Sequence, residues 1–233
     1  MSVKTAIVTG STSGIGLAVS DALAREGYQV ILTGRRKSLL ERIVATRKSS
    51  GLLVDGLSVD LEDPLGPDIL FDQAMELLQG RLDLLVNNAG AWIHALVDQV
   101  DVPTFDRLMS LNLRAPFLLS GRALPVMKQN GGGTIVNISS VAGIESWAGT
   151  SLYSATKFGL RALTQSLLEE GGPFGIKSFS ICPGYVHTPM TEGASVKPEE
   201  MIQPEDIARI ILAHLSLSGP VVLKDIVVSR LQA

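Results

Sequence analysis

Hydrophobic residues fall along this chain in seven short runs, which longer amphipathic stretches separate. The runs, rich in β-branched residues, are TAIVT, QVILT, GLSV, RLDLLV, GTIVNIS, IKSFSIC and VVLKDIVV. Runs of this kind are typical of strands, whereas apolar residues that recur about every three or four positions indicate a helix. Between the first two runs, Ile15, Val19 and Leu23 lie on one helical stripe, and Gly27 suits the end of that helix. The first unit predicted is therefore strand, helix, strand.

The same alternation continues through the rest of the chain. Further helical stretches are SLLERIVATRK, DILFDQAMELLQ, TFDRLMSLNLRAPFLLSGRALPVMK, YSATKFGLRALTQSLLEE and PEDIARIILAHLS. Strands that alternate with helices favour an α/β fold, in which helices cover both faces of a parallel sheet. We expect seven parallel strands. Because neither a sequence repeat nor a low-complexity linker divides the chain, we expect a single domain over residues 1–233.

Composition excludes several classes of protein. The chain carries 20 basic and 23 acidic residues, a formal charge of −3 that is interspersed rather than clustered, so we expect no nucleic-acid surface. No apolar run approaches the roughly 20 residues that span a bilayer, and MSVKTAIVTG lacks the features of a secretory signal. We therefore expect no membrane association and a cytoplasmic location.

The few cysteine and histidine residues argue against a metal centre. Cys182 is the single cysteine, which excludes an intrachain disulfide and a zinc site built from several thiolates, and its apolar run predicts a buried core residue. His94, His187 and His214 have no common ligand spacing. We expect no metal site, with His94 and His187 as loop residues.

A glycine-rich turn follows the first predicted strand. In TGSTSGIG, Gly10, Gly14 and Gly16 can supply a tight turn and a close approach to a helix N-terminus, whose free amides attract phosphate. Steric need alone would also account for glycine here. The turn's place after the first strand favours a dinucleotide site, although its spacing differs from G-x-G-x-x-G. The residues expected to bind the cofactor here are Gly10, Ser11, Thr12, Ser13, Gly14, Ile15 and Gly16.

The second predicted strand ends at GRRK, where a dinucleotide fold meets the adenosine ribose. An acidic residue there accepts the ribose hydroxyls of NAD, whereas arginine suits the 2′-phosphate of NADP. Arg35 is our candidate phosphate clamp and Arg36 the second, so we expect NADP(H) to be preferred over NAD(H). The alternative is a pair of solvated loop arginines. Asp60, with Leu61 beside it, can meet the adenine edge or can cap the following segment.

The stretch SLYSATKFG places Tyr153 and Lys157 four positions apart. Side chains at this spacing share one face of a helix. Taken alone, such a pair most often lies on a solvated surface. Its meaning depends on the motifs around it.

Six short motifs spread over the chain have a joint significance that none has alone. They are TGSTSGIG, NNAG at Asn87–Gly90, Asn112 in SLNLRAPF, NISS at Asn137–Ser140, YSATK at Tyr153–Lys157 and PGYVHT at Pro183–Thr188. In their order and separations they resemble the short-chain dehydrogenase/reductase family, in its compact single-domain branch. The resemblance implies a Rossmann-type, doubly wound sheet with strand order 3-2-1-4-5-6-7.

The resemblance also implies roles for particular residues. The four catalytic positions would be Asn112, Ser140, Tyr153 and Lys157, with Ser140 rather than Ser139 because it lies thirteen positions before the tyrosine. Asn88, Ala89 and Gly90 would support the adenine side, and Pro183, Gly184, Val186 and Thr188 would close over the nicotinamide, with Tyr153 and Lys157 also contacting the cofactor. The Val186 backbone and the Thr188 hydroxyl would bind its carboxamide.

These positions suit the reduction of a carbonyl group. The cofactor would supply hydride and Tyr153 a proton, provided that its pKa falls from about 10, and Lys157 places a positive charge near that oxygen. Ser140 would hold the substrate oxygen. Asn112 is a poor helix former inside a helical stretch, and the family implies a local kink there whose freed carbonyl holds a water.

The loops after strands four, five and six should shape the substrate pocket, because ligands of such folds bind beyond the carboxyl ends of the strands. We expect a small or medium, partly hydrophobic carbonyl compound or alcohol. The candidate contacts are Trp92, Ile93, Trp147, Tyr185 and Met190. The segment MTEGASVKPEEMIQ is short for a substrate lid.

The sequence also bears on alternative functions and on the oligomeric state. The main alternative to an enzyme is a non-catalytic NADP(H)-binding sensor or scaffold protein. Epimerase or dehydratase chemistry is disfavoured by the glycine spacing and by the absence of a longer C-terminal region. The family commonly forms homodimers or homotetramers through the helices that begin near Pro103 and Tyr153, and we expect the same here.

Overall fold

The computed structural model describes residues 3–231 and contains one sheet of seven parallel strands. Its order is β3-β2-β1-β4-β5-β6-β7, which confirms the expected α/β fold and strand order. The strands are β1 (Thr5–Val8), β2 (Gln29–Thr33), β3 (Val54–Leu57), β4 (Leu84–Asn87), β5 (Gly133–Ile138), β6 (Ile176–Pro183) and β7 (Asp225–Val228). The first two and last two residues of the expected 1–233 domain lie outside the described residues.

Helices cover both faces of this sheet. They are α1 (Gly14–Arg25), α2 (Lys37–Ser49), α3 (Gly66–Leu77), α4 (Val102–Met109), α5 (Ala115–Gln129), α6 (Ser151–Gly171) and α7 (Pro204–Leu215). Successive strand residues point to opposite faces, so Ile7 packs against α3 and α5 while Val8 packs against α1 and α7. Both faces of the sheet are buried under helices, which explains why the strand sequences are continuous apolar runs.

Three boundaries differ from the expected ones. β3 covers 54–57 rather than the GLSV run at 56–59, because it is an edge strand whose pairing with β2 starts at Val54 and ends at Leu57. β7 is shorter than its apolar run for a similar reason, since β6 alone pairs with it. The long helical stretch is interrupted by a π-helical turn, Ser110–Arg114, between α4 and α5.

The carboxyl ends of the parallel strands lie along one edge of the sheet, where the loops of the predicted motifs meet. α4 packs near this edge through Leu108, which joins Ala142, Leu152 and Tyr153 in a small apolar cluster. This packing fixes the start of α6, and with it the tyrosine, over the ends of β4 and β5. In the part of the chain that the model describes, no helix is both long and apolar enough to cross a membrane.

Candidate active site

The glycine-rich turn between β1 and α1 passes close to the segment after β4. Gly10 has φ +67°, and a Cβ there would lie 2.9 Å from the Ala89 Cα. A Cβ on Gly16 would lie 2.5 Å from the Gly10 carbonyl oxygen. These contacts alone are enough to require glycine at both positions, which is the steric explanation that the sequence left open. The turn nevertheless starts a helix with no side-chain cap on its first amides, because Ser13 makes no capping hydrogen bond. Free amides and the helix dipole favour an anion there.

A cavity of about 400 Å³ opens beside this turn. It collects most of the predicted cofactor residues and three of the four catalytic ones, which come from α6 and from the segments that follow β1 to β6. The predicted residues that line it are Gly10, Thr12, Ser13, Gly14, Ile15, Arg35, Arg36, Leu61, Asn88, Ala89, Gly90, Ser140, Tyr153, Lys157, Pro183, Gly184, Val186, Thr188 and Met190. Residues that the sequence did not single out also line it, among them Thr33, Val59, Leu111 and Ile138.

Several predicted residues lie outside the cavity wall. Ser11 is buried beneath the turn, where its hydroxyl accepts from the Thr33 amide at 3.0 Å and also bonds the Val8 carbonyl. Gly16 is buried within α1. Asp60 is exposed, and its carboxylate accepts from the Glu62 amide at 2.9 Å within the turn before α3, whose N-cap is Leu65. Its expected contact with the adenine edge stays a prediction.

The two candidate clamp arginines are both exposed at the cavity mouth. The Nη1 of Arg35 donates to the Glu62 carboxylate at 2.9 Å. The Arg36 side chain makes no hydrogen bond or ion pair with any residue in 3–231. A phosphate entering the cavity would therefore find one paired and one free guanidinium.

The NNAG segment joins the ends of β1 and β4. The Thr9 hydroxyl accepts from the amides of Asn88 and Ala89, both at 2.9 Å. The Asn88 side chain donates to the carbonyl oxygens of Thr9 and Gly10. This double connection holds the glycine-rich turn against the floor of the cavity.

Asn112 lies in the π-helical turn and is fully buried. Its side-chain oxygen accepts from the Ala91 amide at 2.9 Å, and its nitrogen donates to the Ala91 carbonyl at 2.8 Å and to the Thr156 hydroxyl at 3.2 Å. An asparagine in an otherwise helical stretch is thereby explained: it joins the loop after β4 to α6. Its side chain does not line the cavity.

Tyr153 and Lys157 are buried one turn apart on α6, rather than exposed as a surface pair. The Lys157 Nζ lies 5.6 Å from the centre of the tyrosine ring and donates to the Ile138 carbonyl at 2.8 Å. Burial lowers the pKa of Lys157 to about 8. Burial also raises the pKa of Tyr153 to about 12, against the lowering effect of a hydrogen bond with Ser140. The lowering of the Tyr153 pKa that was expected from Lys157 is not seen in the protein alone, where desolvation dominates because removal from water disfavours phenolate.

Ser140 begins a short turn, Val141–Gly143, at the end of β5. Its hydroxyl accepts from the Ala142 amide at 3.1 Å. The neighbouring Ser139 hydroxyl instead donates to the Lys157 carbonyl at 3.1 Å, so it joins β5 to α6 although it touches the cavity.

An arginine that the sequence reasoning missed anchors this turn. Arg161 donates to the Gly143 carbonyl at 2.7 Å and makes two hydrogen bonds to the Asp225 carboxylate on β7, at 3.2 and 2.9 Å. The available signal was its position: Arg161 follows Lys157 by four residues on the same face of α6. Asp225 gave no such signal.

The expected substrate contacts are only partly brought into the cavity. Met190 lines it, whereas Trp92, Ile93, Trp147 and Tyr185 do not. The three aromatic residues are each about half exposed, on the loops that follow β4, β5 and β6. Two of these loops are joined, since the Ala95 amide donates to the Gly149 carbonyl at 2.9 Å.

The histidines take structural positions. His94 packs over Gly149, where a Cβ would lie 2.2 Å from the imidazole Nε2, so it holds two pocket loops together. His214 is buried, stacks on Phe179 with ring centres 3.7 Å apart, and accepts from the Leu223 amide at 3.1 Å. Within residues 3–231, no three His, Cys, Asp or Glu side chains form a group that could hold a metal ion.

The segment after β6 closes the cavity from the far side. Val186 is buried and pairs with Ile202 in an isolated bridge, while its carbonyl accepts from the Thr191 hydroxyl at 2.6 Å. Thr188 contacts the glycine-rich turn, since a Cβ on Gly14 would lie 2.8 Å from the Thr188 methyl group. The segment therefore meets the first turn of α1 directly.

Known proteins with similar sequences are oxidoreductases. An uncharacterized oxidoreductase of Staphylococcus aureus strain N315 is 32% identical over 228 residues, covering 97% of this chain and 96% of its own length. An uncharacterized oxidoreductase of Staphylococcus saprophyticus is 30% identical over 226 residues, with the same coverage of both chains.

Solved structures with the same fold include NADP-bound enzymes. An alcohol dehydrogenase from the archaeon Thermococcus sibiricus, complexed with 5-hydroxy-NADP, has a TM-score of 0.89 at 26% identity, covering 97% of this chain and 96% of its own. A variant of actinorhodin polyketide ketoreductase with NADPH has a TM-score of 0.88 at 27% identity, with 98% and 96% covered.

A family model described as short chain dehydrogenase matches residues 4–199, well over half of the sequence. That span contains every motif named above, from the glycine-rich turn to PGYVHT. The chain belongs to the short-chain dehydrogenase/reductase family.

Proposed function

We propose that this protein is an NADP(H)-dependent oxidoreductase that interconverts a carbonyl compound and an alcohol. One observation carries the proposal: a single cavity is lined by the phosphate turn, the two arginines after β2, and Ser140, Tyr153 and Lys157. An anion site and a proton-transfer group that share one cavity are what hydride chemistry requires. The NADP-bound alcohol dehydrogenase and ketoreductase of the same fold support the reaction class.

The residues of the cavity fit a dinucleotide. The uncapped N-terminus of α1 would hold the pyrophosphate, and Arg35 and Arg36 would hold the 2′-phosphate. Thr188, which touches the phosphate turn, would lie against the nicotinamide end together with Val186. The bound nicotinamide would supply the hydride, which no side chain can provide.

Tyr153 would move the proton. In reduction its hydroxyl donates to the substrate oxygen, and a pKa of about 12 keeps that hydroxyl protonated at neutral pH. The phenolate left behind needs a nearby positive charge, and Lys157, with a pKa of about 8, still carries one at pH 7. Ser140, which lines the same cavity as Tyr153, would hold the substrate oxygen within reach.

Asn112 would act as a positioning residue. Its hydrogen bonds join the loop after β4 to α6, and so set the cavity wall at Ala91 against the helix that carries Tyr153 and Lys157. A water held near Lys157 by the π-helical turn remains a prediction from the family resemblance.

The substrate would be small or medium in size and partly hydrophobic. Met190, which lines the cavity, would contact the substrate there. The half-exposed Trp92, Trp147 and Tyr185 lie on loops at the same edge of the sheet. Apolar surface with few charges favours an uncharged carbonyl compound or alcohol. The substrate of the ketoreductase neighbour illustrates the class without defining it here.

Purified protein should oxidise NADPH in the presence of a panel of aldehydes and ketones, and Tyr153→Phe should reduce turnover by about 100-fold or more, since the proton donor is lost. NADPH affinity should change little, because the ring remains. Absorbance at the nicotinamide band measures turnover, and fluorescence titration measures binding. Binding of NADPH without turnover over a broad panel would instead support the sensor or scaffold alternative.

Lys157→Met should raise stability while removing activity. The pKa of Lys157 falls from 10.5 to about 8 on burial, so the folded state binds its proton less tightly than the unfolded chain does. At pH 7 this lowers the free energy of unfolding, and methionine should restore roughly 2 kcal/mol after loss of the bond to Ile138.

The gain should shrink as pH rises from about 8 to about 10.5, where the lysine is neutral in both states. Thermal unfolding at several pH values measures this dependence, with Lys224→Met as a control because Lys224 is exposed. A lower midpoint for Lys157→Met at pH 7 would show that the buried ammonium stabilises the protein.

The cofactor preference has a separate test. Titration of nicotinamide fluorescence should give a lower Kd for NADPH than for NADH, and Arg35→Ala should narrow that difference by about 10-fold, since a charge-assisted contact to phosphate is lost. Equal affinities in the unmodified protein would contradict the clamp assignment and leave the proposed reaction open to NADH.

A homodimer or homotetramer is the proposed assembly. α4 and α5 both pack against α6, and these three helices expose four large apolar side chains: Val102, Phe105, Phe117 and Phe158. Such a cluster favours contact with a second copy. Sedimentation velocity should give a mass of two or four chains, and Phe158→Glu should lower that mass; a monomer would contradict the assignment.

A cytoplasmic location remains a prediction from the sequence.

A further inference from the structure

Glu62 lies between two arginines at the mouth of the cavity. Its Oε1 is 2.9 Å from the Arg35 Nη1 and 3.4 Å from the Arg107 Nε. The side chain of Arg35 is 54% exposed and that of Glu62 is 20% exposed. The candidate phosphate clamp is therefore already occupied by a carboxylate of the same chain.

The backbone of Glu62 is fixed on both sides. Its amide donates to the Asp60 carboxylate at 2.9 Å, and its carbonyl accepts from the Arg114 Nη2 at 2.7 Å. Asp60 therefore helps to hold Glu62 in place. These two hydrogen bonds restrain the Glu62 backbone and hold its carboxylate in place, so Arg35 is the partner that must move for the pair to separate.

We propose that Glu62 is a specificity-determining residue, which competes with the 2′-phosphate of NADP(H) for Arg35 and so limits the preference for NADP(H) over NAD(H). This inference rests on the proposed cofactor function. NADPH must draw Arg35 away from Glu62, whereas NADH has no 2′-phosphate and leaves the pair intact. The cost therefore falls on one cofactor only.

Arg107 provides Glu62 with a second partner when Arg35 moves to the phosphate. When Arg35 turns to the phosphate, Glu62 keeps the Arg107 guanidinium and is not left as an unpaired carboxylate. A phosphate monoester carries more negative charge than one carboxylate, so Arg35 favours the phosphate when both are present. Glu62 weakens that contact without abolishing it.

The size of the effect follows from the exposure of the pair. Ion pairs at exposed positions contribute about 0.2–1 kcal/mol, which corresponds to at most about a five-fold change in affinity. We expect Glu62→Gln to lower the Kd for NADPH about two- to five-fold. The Kd for NADH should stay within about 1.5-fold of the unmodified protein, since Arg35 has no phosphate to bind.

The experiment is a titration of nicotinamide fluorescence with NADPH and NADH on the unmodified protein, Glu62→Gln, Arg35→Ala and the double variant. Glu76→Gln serves as a control for net charge, because Glu76 is exposed on α3. The gain from Glu62→Gln should be absent in the Arg35→Ala background, since the two residues act through one contact. Glu76→Gln should bind both cofactors as the unmodified protein does.

The possible outcomes separate this inference from the proposed function. If Arg35→Ala narrows the NADPH preference and Glu62→Gln changes nothing, the competition is refuted and the clamp stands. If Glu62→Gln weakens NADPH binding, Glu62 positions Arg35 instead, which also refutes competition. If Glu62→Gln still raises NADPH affinity in the Arg35→Ala background, Glu62 repels the phosphate directly, and competition for Arg35 is refuted. Equal NADPH and NADH affinities in the unmodified protein would overturn the cofactor assignment itself, and this inference with it.

Discussion

The pairing of β1 with β4 is the contact on which the rest of the site depends. The strand order reverses there, since β2 and β3 lie on one side of β1 while β4 and its successors lie on the other. A crevice opens where two neighbouring parallel strands send their chains to opposite sides. The hydroxyl of Thr9 closes the bottom of that crevice by accepting two amides from the NNAG segment. Every other cavity residue is placed relative to this junction.

The polar groups at this junction are stabilised to different degrees. Asn112 satisfies its side chain with the backbone of Ala91, which makes its burial favourable. Lys157 is buried and has one carbonyl partner, at 2.8 Å, for three potential N–H donors. Burial lowers the pKa of Lys157, so its ammonium is disfavoured at this position, and the proposed part in proton transfer accounts for the residue better than packing does.

Much of the fold could be predicted from the sequence because its signals are local. The apolar runs gave the strands, and the turn before Gly16, the pair formed by Tyr153 and Lys157, and the unfavourable asparagine at 112 each stand out within a few positions. The boundaries of β3 could not be predicted, since an edge strand ends where its neighbour stops pairing. The contact of the Asp60 carboxylate with the amide of Glu62 could not be predicted either, since it depends on the conformation of the turn before α3.

Contacts between distant parts of the sequence explain what was missed. Glu62 meets Arg35 across 27 positions, and Asp225 meets Arg161 across 64, so no short window contains either pair. The aromatic residues after β4, β5 and β6 were assigned to the pocket wall from their place in the loops. Loop conformation depends on packing such as that of His94 on Gly149, which sequence patterns do not encode.

The link from Asp225 through Arg161 to Gly143 has a consequence for how the protein is made. A ribosome releases the chain from its N-terminal end, so the Ser140 turn and α6 emerge well before β7. Until β7 adds to the sheet, Arg161 lacks the carboxylate that orients it toward the Gly143 carbonyl. The first five strands and their helices can therefore assemble early, while the turn that Ser140 begins acquires its final anchor only when the last strand has been synthesised.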